Sequence, residues 1–595
     1  RNRFAISRDD VYGEIWNFTQ ANKKTMENQL RELGASCDWS REKFTLDPGI
    51  VNEVQKTFVK MHKDGLVYRD LRVVNWCPKH KTALSDLEVK YIERKDPLYY
   101  IKYGPLTLAT VRPETKFGDT ALAVNPNDKR YKKYIGEEIE AKGVLGPLKF
   151  KVIADEAVDP KFGTGVVKIT PAHDPADFEM WQRHKDEIEG PKTIINEDGR
   201  LTWEAGKFEG LKVAEARERV AEEMGKIGIL EKVAPDYVHQ VATCYKCGTT
   251  LEPIPKPQWF VKMKPLAEKA IRAAEQGKIK FYPDRSKKVY FHWLRNIRDW
   301  NISRQIVWGI RIPAWFKETE IYVGTEKPAG DGWRKDADVF DTWFSSGQWP
   351  YLTLGYPNGK DFKKFYPTDV METGYDILFF WVARMIMLGL YRTGKIPFRT
   401  VYLHGLVRDK DRQKMSKSKG NVIDPLAVAE IYGADAVRMA LVAGNTPGND
   451  IIISEDKIRG YRNFATKIWN AARFILMNKL VTGTAKPKFT PADKKNLKEL
   501  EKTKAQVTKH LERFEFHLAA EKIYHYFWHT FADKIIESYK ERLRGTDEEK
   551  KISAYATLEK ILSESLKMIH PFMPFVTEEV YRKIRNGKML MTEKW

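Results

Sequence analysis

The chain has 595 residues, 42% of them apolar, with a formal net charge of +21 and a pI near 9.4. That length accommodates about three to five domains at ~150 residues each, and the charge favours a nucleic acid as partner over a basic but inert surface. Four cysteines in so long a chain exclude a disulfide framework. The N-terminal Arg1-Asn2-Arg3-Phe4 has no apolar signal core. The longest apolar run, Ile377 to Tyr391, is broken by Arg384 and is too short to span a bilayer. A soluble protein in a reducing, cytoplasmic setting, with no membrane partner, is expected.

Residues 1–95 read as helices with a short strand near Leu71 to Trp76. Over 96–237 the texture changes. Short β-rich runs at Leu98–Tyr103, Leu106–Val111 and Gly165–Ile169 alternate with Gly, Pro and Asp turns, which predicts a compact β-rich insertion. Over 238–445, most clearly after Ser303, strand and helix candidates alternate as in a doubly wound α/β sheet. Ile377 to Tyr391 reads there as a buried helix. A connecting region, 446–475, leads into 476–595. In that last part Leu497, Leu500, Val507, Leu511, Phe514 and Leu518 recur at three-, four- and seven-residue spacings, interrupted by Lys504. Helices of that length in series predict a bundle.

Four constellations carry chemistry. Cys77-Pro78-Lys79-His80 and Cys244-Tyr245-Lys246-Cys247 each have the two-residue spacer of zinc knuckles and together make a Cys₃His set. His80 and Cys244 lie 164 positions apart, so one shared ion requires the intervening β-rich segment to loop out. Unbound thiols near turns are the ordinary alternative. Cys37 has no partner motif and is expected to be packed. The second constellation is Thr110-Val111-Arg112-Pro113-Glu114-Thr115 with the run from Gly163 to Asp177, which carries Lys168, Thr170, Asp174 and Asp177. Two carboxylates, a lysine and hydroxyls around Gly and Pro turns suit a pocket that holds an amine and positions a water. Asp174 and Asp177, three apart, could face one site; both segments could equally be everyday turns.

The third constellation is Trp300 to Gly309 with Phe340-Asp341-Thr342-Trp343-Phe344-Ser345-Ser346. Aromatics beside polar residues can line a small amino-acid pocket or simply fill a core. The fourth begins at Thr373-Gly374-Tyr375-Asp376-Ile377-Leu378. Gly374 permits close approach of a ligand, and Asp376 could pair with an ammonium group, cap a helix, or do both. After the strand candidate Thr400 to Gly405 comes Gln413-Lys414-Met415-Ser416-Lys417-Ser418-Lys419-Gly420-Asn421. Two lysines three apart, separated by small residues, suit a mobile loop that brings positive charge onto a polyphosphate. A solvated basic loop is the ordinary alternative.

Lys414 to Ser418 matches the signature loop of the class I aminoacyl-tRNA synthetases at all five positions. From Leu33-Gly34-Ala35-Ser36-Cys37-Asp38-Trp39-Ser40 to His570-Pro571-Phe572-Met573-Pro574-Phe575 the chain resembles the valyl-tRNA synthetases. Glu114 after Arg112-Pro113 distinguishes it from leucyl and isoleucyl relatives. Asn449-Asp450-Ile451 with Tyr461-Arg462-Asn463-Phe464 is also valyl-like, although Arg is commoner where Asn449 stands. An isoleucyl enzyme is the nearest rival, and a tRNA-binding or editing-only protein is the rival from another class.

The resemblance implies an incomplete Rossmann-type catalytic domain with a β-rich editing insertion, a tRNA stem-contact region over 446–475 and an α-helical anticodon-binding bundle. It implies ATP, with Mg²⁺, and valine as substrates, tRNA(Val) as partner, a structural Zn²⁺ on Cys77, His80, Cys244 and Cys247, and a monomer. By motif position, Lys414, Ser416, Lys417 and Ser418 are the catalytic loop, with Lys417, Gly374, His404 and Gly405 at ATP. Trp343, Asp376, Ile377 and Trp381 shape the valine pocket. Arg112, Thr115, Lys168, Thr170, Asp174 and Asp177 line the editing pocket, with Asp174 or Asp177 on the substrate ammonium. Threonine is an isostere of valine with a hydroxyl, and a valine pocket rejects it by only about 10²-fold, a figure long tied to this family. The family's other signature, His-x-Gly-His, is not matched in residues 1–60. The expectation is therefore a chain lacking its start and its end, unable by itself to form valyl-adenylate at an appreciable rate.

Overall fold

The computed structural model describes residues 7–413, 415, 423–479 and 486–595. Helix α1 (Arg8–Glu32) is N-capped by Ser7, whose hydroxyl accepts from Asp10 N. Helix α2 (Pro48–Lys63) begins with Pro in its first turn and buries Ile50, Val54, Phe58 and Met61 along one face. Phe58 meets Trp259 and Phe340 at ring-centroid distances of 5.2 Å each. Each such fully buried side chain contributes about 1.5–3 kcal/mol of transfer free energy.

The strand expected near Leu71 to Trp76 is longer. Strand β1 (Val67–Cys77) continues, through β2 (Thr82–Leu84), towards β3 (Val89–Tyr103). Strand β1 pairs antiparallel with β10 (Glu252–Val261), from Val67↔Val261 to Trp76↔Glu252. Two halves of the chain separated by the whole insertion are thereby sewn together.

The insertion rests on one long antiparallel pair. Strand β9 (Leu230–Cys244) runs beside β3 from Val89↔Cys244 to Ile101↔Leu230. The register shifts between Asp96 and Leu98, where Pro97 stands opposite Pro235 and Asp236. Proline cannot donate to the ladder, so a bulge there is the low-cost solution. The segment boundaries read from sequence, 96 and 237, fall on the pair Asp96↔Tyr237 at this bulge. Beyond it, β4 (Leu106–Thr110) extends the β3–β9 sheet. A second sheet has the order β6 (Glu138–Gly143), β7 (Gly146–Ala154), β5 (Ala121–Val124), β8 (Val166–Ile169). Tyr103, Leu108, Leu122, Val152, Val166 and Ile194 fill the core between them.

In the α/β body, three strands run parallel: Lys280–Tyr282, Phe398–His404 and Thr368–Gly374, with Phe398–His404 in the middle. The α/β alternation is visible in sequence only after Ser303, yet the sheet takes its third strand from ahead of that point. Three residues are too short to show a period. The apolar run from Ile377 becomes a π-helical turn, Leu378–Ala383, continuing as the helix Arg384–Thr393. Leu378 and the stretch from Val382 to Gly389 are buried, and Phe379, Phe380 and Trp381 are half-buried. No helix among the described residues is long and apolar enough to cross a membrane.

The boundary at 475 falls inside the helix Glu455–Met477, whose buried Phe464, Ile468 and Ile475 belong to the same core as the following helices. From Phe464 onward this segment shares the core of the bundle, while Ile453 and Ile458 pack against Ala436, Val437 and Ala440 ahead of it. The helix Pro491–Glu512 buries Leu500, Thr503 and Val507 and ends before Phe514, which adopts φ 59°. The apolar stripe therefore crosses a chain reversal that its spacing conceals. Lys504, the polar break, reaches Glu564 at 2.5 Å. Cys37 is exposed, contrary to the expectation of packing; it sits in the irregular segment between α1 and the 3₁₀ turn Trp39–Arg41.

Candidate functional sites

The pairing Val89↔Cys244 closes the gap between the two cysteine motifs. Cys77 ends β1, His80 follows in the turn to β2, and Cys244 ends β9. The ligand atoms of Cys77, His80, Cys244 and Cys247 all lie within 4.8 Å of one another. Cys77 Sγ is 3.7 Å from Cys247 Sγ and 3.5 Å from His80 Nδ1, and Cys244 Sγ is 3.6 Å from that nitrogen. Ligands around a tetrahedral Zn²⁺ sit about 3.8 Å apart for two sulfurs and about 3.5 Å for sulfur and nitrogen. The donor set and its spacing therefore fit that ion. Burial pushes the Cys77 thiol up to about 11, and a metal would reverse that by binding the thiolate.

The second site lies in the β-rich domain. Val166 and Lys168 alternate onto the buried face of β8, which points Lys168 inward. Its ammonium reaches Asp119 Oδ1 at 3.0 Å and Thr115 Oγ1 at 2.9 Å, and it also contacts the Thr170 hydroxyl. Thr170 Oγ1 donates to Asp119 Oδ1 at 2.7 Å, and Tyr103 OH to Asp119 Oδ2 at 2.7 Å. Thr170 N donates to Asp177 Oδ2 at 2.8 Å. Burial, then the nearby Asp174 charge, raises the Asp177 carboxyl well above the ordinary carboxylate range. A cation placed beside it would bring it back.

Asp174 and Asp177 do not face the site equally. Asp174 is exposed and N-caps the helix α3 (Pro175–Arg183), accepting from Ala176 N at 2.8 Å and Asp177 N at 3.2 Å. Asp177 is buried in the first turn of that helix. Arg112 is held from both sides, donating to Glu114 Oε1 at 3.1 Å and Glu252 Oε2 at 2.5 Å. Glu114 also takes a two-pronged contact from Arg217 at 2.9 and 3.0 Å. Burial works to raise Glu114, but Arg217 and Arg112 hold it below its ordinary value. Arg217 belongs to helix α4 (Val213–Lys226), so Glu114 and its arginines tie the Arg112–Thr115 turn to that helix and to β10.

Sequence reasoning missed Asp119, at the centre of this cluster, as well as Tyr103, Arg217, Glu252 and His173. His173 Nε2 accepts from Ile194 N at 2.7 Å and its Nδ1 lies 2.9 Å from Pro253 O. Burial depresses it to about 3, so it is a neutral structural bridge. Lys116, inside the 3₁₀ turn Pro113–Gly118, is buried over the Tyr103 ring at 5.4 Å, and burial lowers it to about 8.

The third site is at the carboxyl ends of the parallel strands, where open α/β sheets bind ligands. Gly374 is paired with His404. A Cβ on Gly405 would stand 1.6 Å from Asn449 O, so only glycine lets the two segments meet. Asp450 binds Arg408 and accepts from Tyr375 OH at 2.9 Å and Leu406 N at 3.1 Å. Asp376 is exposed and is not the cap, since Gly374 holds that position. Ile377 is half-buried beside it. Trp343 follows the N-cap Asp341 and packs on Phe380 at 5.4 Å, while Trp381 Nε1 donates to Ser346 O at 2.8 Å. The two tryptophans thus share one seam. Lys414, Ser416, Lys417 and Ser418 lie outside the described residues.

A parallel-stranded catalytic body, interrupted by a β-rich domain on a cysteine-bound arm and followed by a helical bundle, is the architecture of a class I tRNA synthetase. The family model for class I tRNA synthetases (I, L, M and V) matches residues 1–330 and 325–454, and that for the anticodon-binding domain of tRNA ligase matches 493–595. Valine–tRNA ligase of Petrotoga mobilis is 46% identical over 618 residues, covering 100% of this chain and 70% of that protein. The Thermotoga maritima valine–tRNA ligase is 45% identical (100% and 70%), and that of Clostridium acetobutylicum 44% (98% and 68%). The chain belongs to the valine–tRNA ligases. Two solved structures share its fold. Agrobacterium radiobacter K84 agnB2 LeuRS, solved with tRNA and LeuAMS, has a TM-score of 0.55 at 18% identity, covering 100% of this chain and 80% of that one. Mycobacterium tuberculosis methionyl-tRNA synthetase bound by methionyl-adenylate has a TM-score of 0.53 at 16% identity, with 94% and 80% covered.

Proposed function

We propose that this chain serves the ATP-dependent joining of valine to tRNA(Val), with Mg²⁺ accompanying ATP, and that residues 96–237 hydrolyse threonyl-tRNA(Val) made in error. The buried Lys168–Asp119–Thr115–Thr170 cluster beside Asp177 is the observation that carries the second part. A lysine ammonium and two hydroxyls buried together are a costlier way to fill a β-domain core than apolar side chains. They suit reading the threonyl hydroxyl or the terminal adenosine. Asp177 is the ammonium partner of choice, being buried where Asp174 is exposed. Water attacks the ester carbonyl, the bond to the ribose oxygen breaks, and free threonine and deacylated tRNA leave.

In the same reading, Gly374, His404 and Gly405 border the ATP site, with Lys414, Ser416, Lys417 and Ser418 as the loop that closes on it. Trp343, Ile377 and Trp381 shape the valine pocket, and Asp376 faces the amino group. Cys77, His80, Cys244 and Cys247 would hold a structural Zn²⁺ that braces the base of the arm. The bundle after 476 receives the anticodon stem and loop.

The test is deacylation of purified threonyl-tRNA(Val) and valyl-tRNA(Val) by this chain. Threonyl-tRNA is expected to be hydrolysed faster, and Asp177→Ala to slow it at least 10-fold. Equal rates on the two esters, or an unchanged rate in the variant, would remove the editing assignment.

A further inference from the structure

A cavity of about 510 Å³ lies between the outer face of α3 and the sheet formed by β1 and β10. Its walls include Phe178 and Gln182 from α3, Asn75 from β1, and Trp293, Asn301 and Arg384 from the catalytic body. Trp300 and Asn301 begin the third constellation read from the sequence and Pro175 lies in the second, but Arg384, Trp293, Phe178 and Gln182 belong to none of the four.

Arg384 is its most telling residue. It is only 3% exposed, and its guanidinium carbon stands 3.8 Å above the Trp300 ring. Its single hydrogen bond among the described residues is from Nη1 to Phe380 O at a long 3.4 Å, and the buried Nε has no partner. The nearest carboxylate, Asp341, is already taken: Oδ2 by Trp300 Nε1 (2.8 Å) and Arg304 Nη2 (2.9 Å), Oδ1 by Trp343 N (3.0 Å). Burial depresses Arg384 to about 10, the mark of a cation short of an anion. A buried guanidinium left without a counter-charge is costly, and such sites are completed by a ligand anion.

The other walls narrow the class of anion. Trp293 is 43% exposed and rests on Phe379 at 5.1 Å, a supported aromatic face. Gln182 offers amide donors and acceptors, and Asn75 the part of its amide not spent on Asp86 Oδ1 (3.2 Å), whereas Asn301 is committed to Gln258 and Ser303. Asp86, Glu179 and Asp299 also line the cavity and keep a phosphate to the Arg384 end. A stacking platform, amide edges and an arginine are what recognise a nucleotide outside a duplex. We propose that this cavity binds one unpaired nucleotide, its base on Trp293, its edge against the amides and its phosphate on Arg384. The nucleotide could be free or the single-stranded 3′ end of tRNA. The first turn of α3 carries Asp177, while its outer face lines this cavity. A strand end on its way to Asp177 therefore has the cavity on the far side of one helix. Only this second source rests on the editing assignment.

The experiment uses AMP, the trinucleotide CCA and tRNA(Val) ending in 8-azidoadenosine, on the full chain. Photocrosslinks should map to peptides containing Trp293 or Phe178. Arg384→Gln should weaken AMP and CCA binding at least 10-fold by calorimetry. Gln182→Ala, an exposed change that leaves the core alone, should weaken it at least 3-fold. CCA binding 10-fold tighter than AMP identifies the tRNA end as the source; equal binding identifies the free nucleotide. Crosslinks confined to other peptides, or full affinity in both variants, would overturn the site. Threonyl-tRNA deacylation is measured on the same preparations. A chain that deacylates but leaves the cavity empty sinks this proposal alone, and one that fills the cavity without deacylating sinks only the editing assignment.

Discussion

Lys168→Met removes the cation from a buried ion pair while keeping the length of the side chain. Lys168 is 9% exposed and Asp119 is 0% exposed, with nitrogen and oxygen 3.0 Å apart. At an effective dielectric constant of 20 the gross attraction is about 5.5 kcal/mol. Breaking one side of a buried pair typically costs about 3–5 kcal/mol, because the remaining charge is stranded. Asp119 retains hydroxyl donors from Tyr103 and Thr170, which brings the expectation to the low end, about 3 kcal/mol. Global unfolding of a multi-domain chain is not two-state, so the useful readout is native-state hydrogen exchange in peptides from residues 96–237. A loss of about 3 kcal/mol accelerates exchange roughly 160-fold, at 1.36 kcal/mol per decade. Asp119→Asn added to Lys168→Met should restore at least about 1.5 kcal/mol, since the stranded charge is gone. A single variant costing under about 1 kcal/mol, or a double variant no better than the single, refutes the view of this pair as a mutually dependent unit.

Asp177→Asn should stabilise the ligand-free chain at neutral pH. The native carboxyl is raised, so above the ordinary Asp value the folded state holds a proton that the unfolded state has released. Stability then falls as pH rises from about 4 towards the native value, and the variant should lose that slope in melting curves taken across pH; an unchanged slope counts against it. Cys244→Ser, or a strong chelator, should take bound zinc from about one per chain to near zero and accelerate exchange in β1 and β9 around the knuckle. A chain without zinc in elemental analysis ends that expectation. Asp493, 0% exposed, accepts from Arg542 at 2.7 and 3.1 Å and from Tyr539 and Ser553, each at 2.5 Å. Burial works to raise it, but Arg542, Ser553 and Tyr539 hold it below the ordinary range. Its stabilisation is therefore present above about pH 4 and lost as pH falls through the lower native value. Asp493→Asn should cost the bundle about 3–5 kcal/mol at pH 7, and unchanged native-state hydrogen exchange in peptides from the helix Pro491–Glu512 would contradict this.

The zinc set and the polar turns of the β-rich domain were readable because each is a short local string: two CxxC-like pairs, an Arg-Pro-Glu-Thr and a Lys-Ile-Thr. Asp119 was not. It stands in a Gly-Asp-Thr turn, and its partner Lys168 is 49 positions away on β8. No local spacing announces such a pair. The unequal roles of Asp174 and Asp177 were hidden for the opposite reason. Their three-residue spacing is compatible with one shared face, but a helix begins between them and turns the first carboxylate back onto its own N-terminus. The bundle misled in the same way, because Leu511, Phe514 and Leu518 keep a helical spacing across the break at Phe514.

How the β-rich domain can move follows from the same arm. At its base, Val89 pairs with Cys244, Tyr245 N donates to Glu88 O at 3.3 Å, and Glu88 Oε2 holds Arg304 Nη2 at 2.7 Å. Arg304 in turn binds Asp341, the N-cap ahead of Trp343. That end is wired into the buried ions of the catalytic body and is the wrong place for a hinge. The bulge at Asp96–Leu98 interrupts the ladder, and Pro97 and Pro235 lack donors, so within the arm bending there breaks the fewest ladder bonds, once the Arg112–Glu252 and His173–Pro253 contacts to β10 are released. A disulfide linking Lys95→Cys to Val238→Cys, directly opposed on the knuckle side of the bulge, should therefore leave threonyl-tRNA deacylation unchanged. One linking Leu98→Cys to Ala234→Cys, at the first registered pair beyond it, should slow it. If the first disulfide slows deacylation instead, the motion originates below the bulge and the knuckle is part of the hinge.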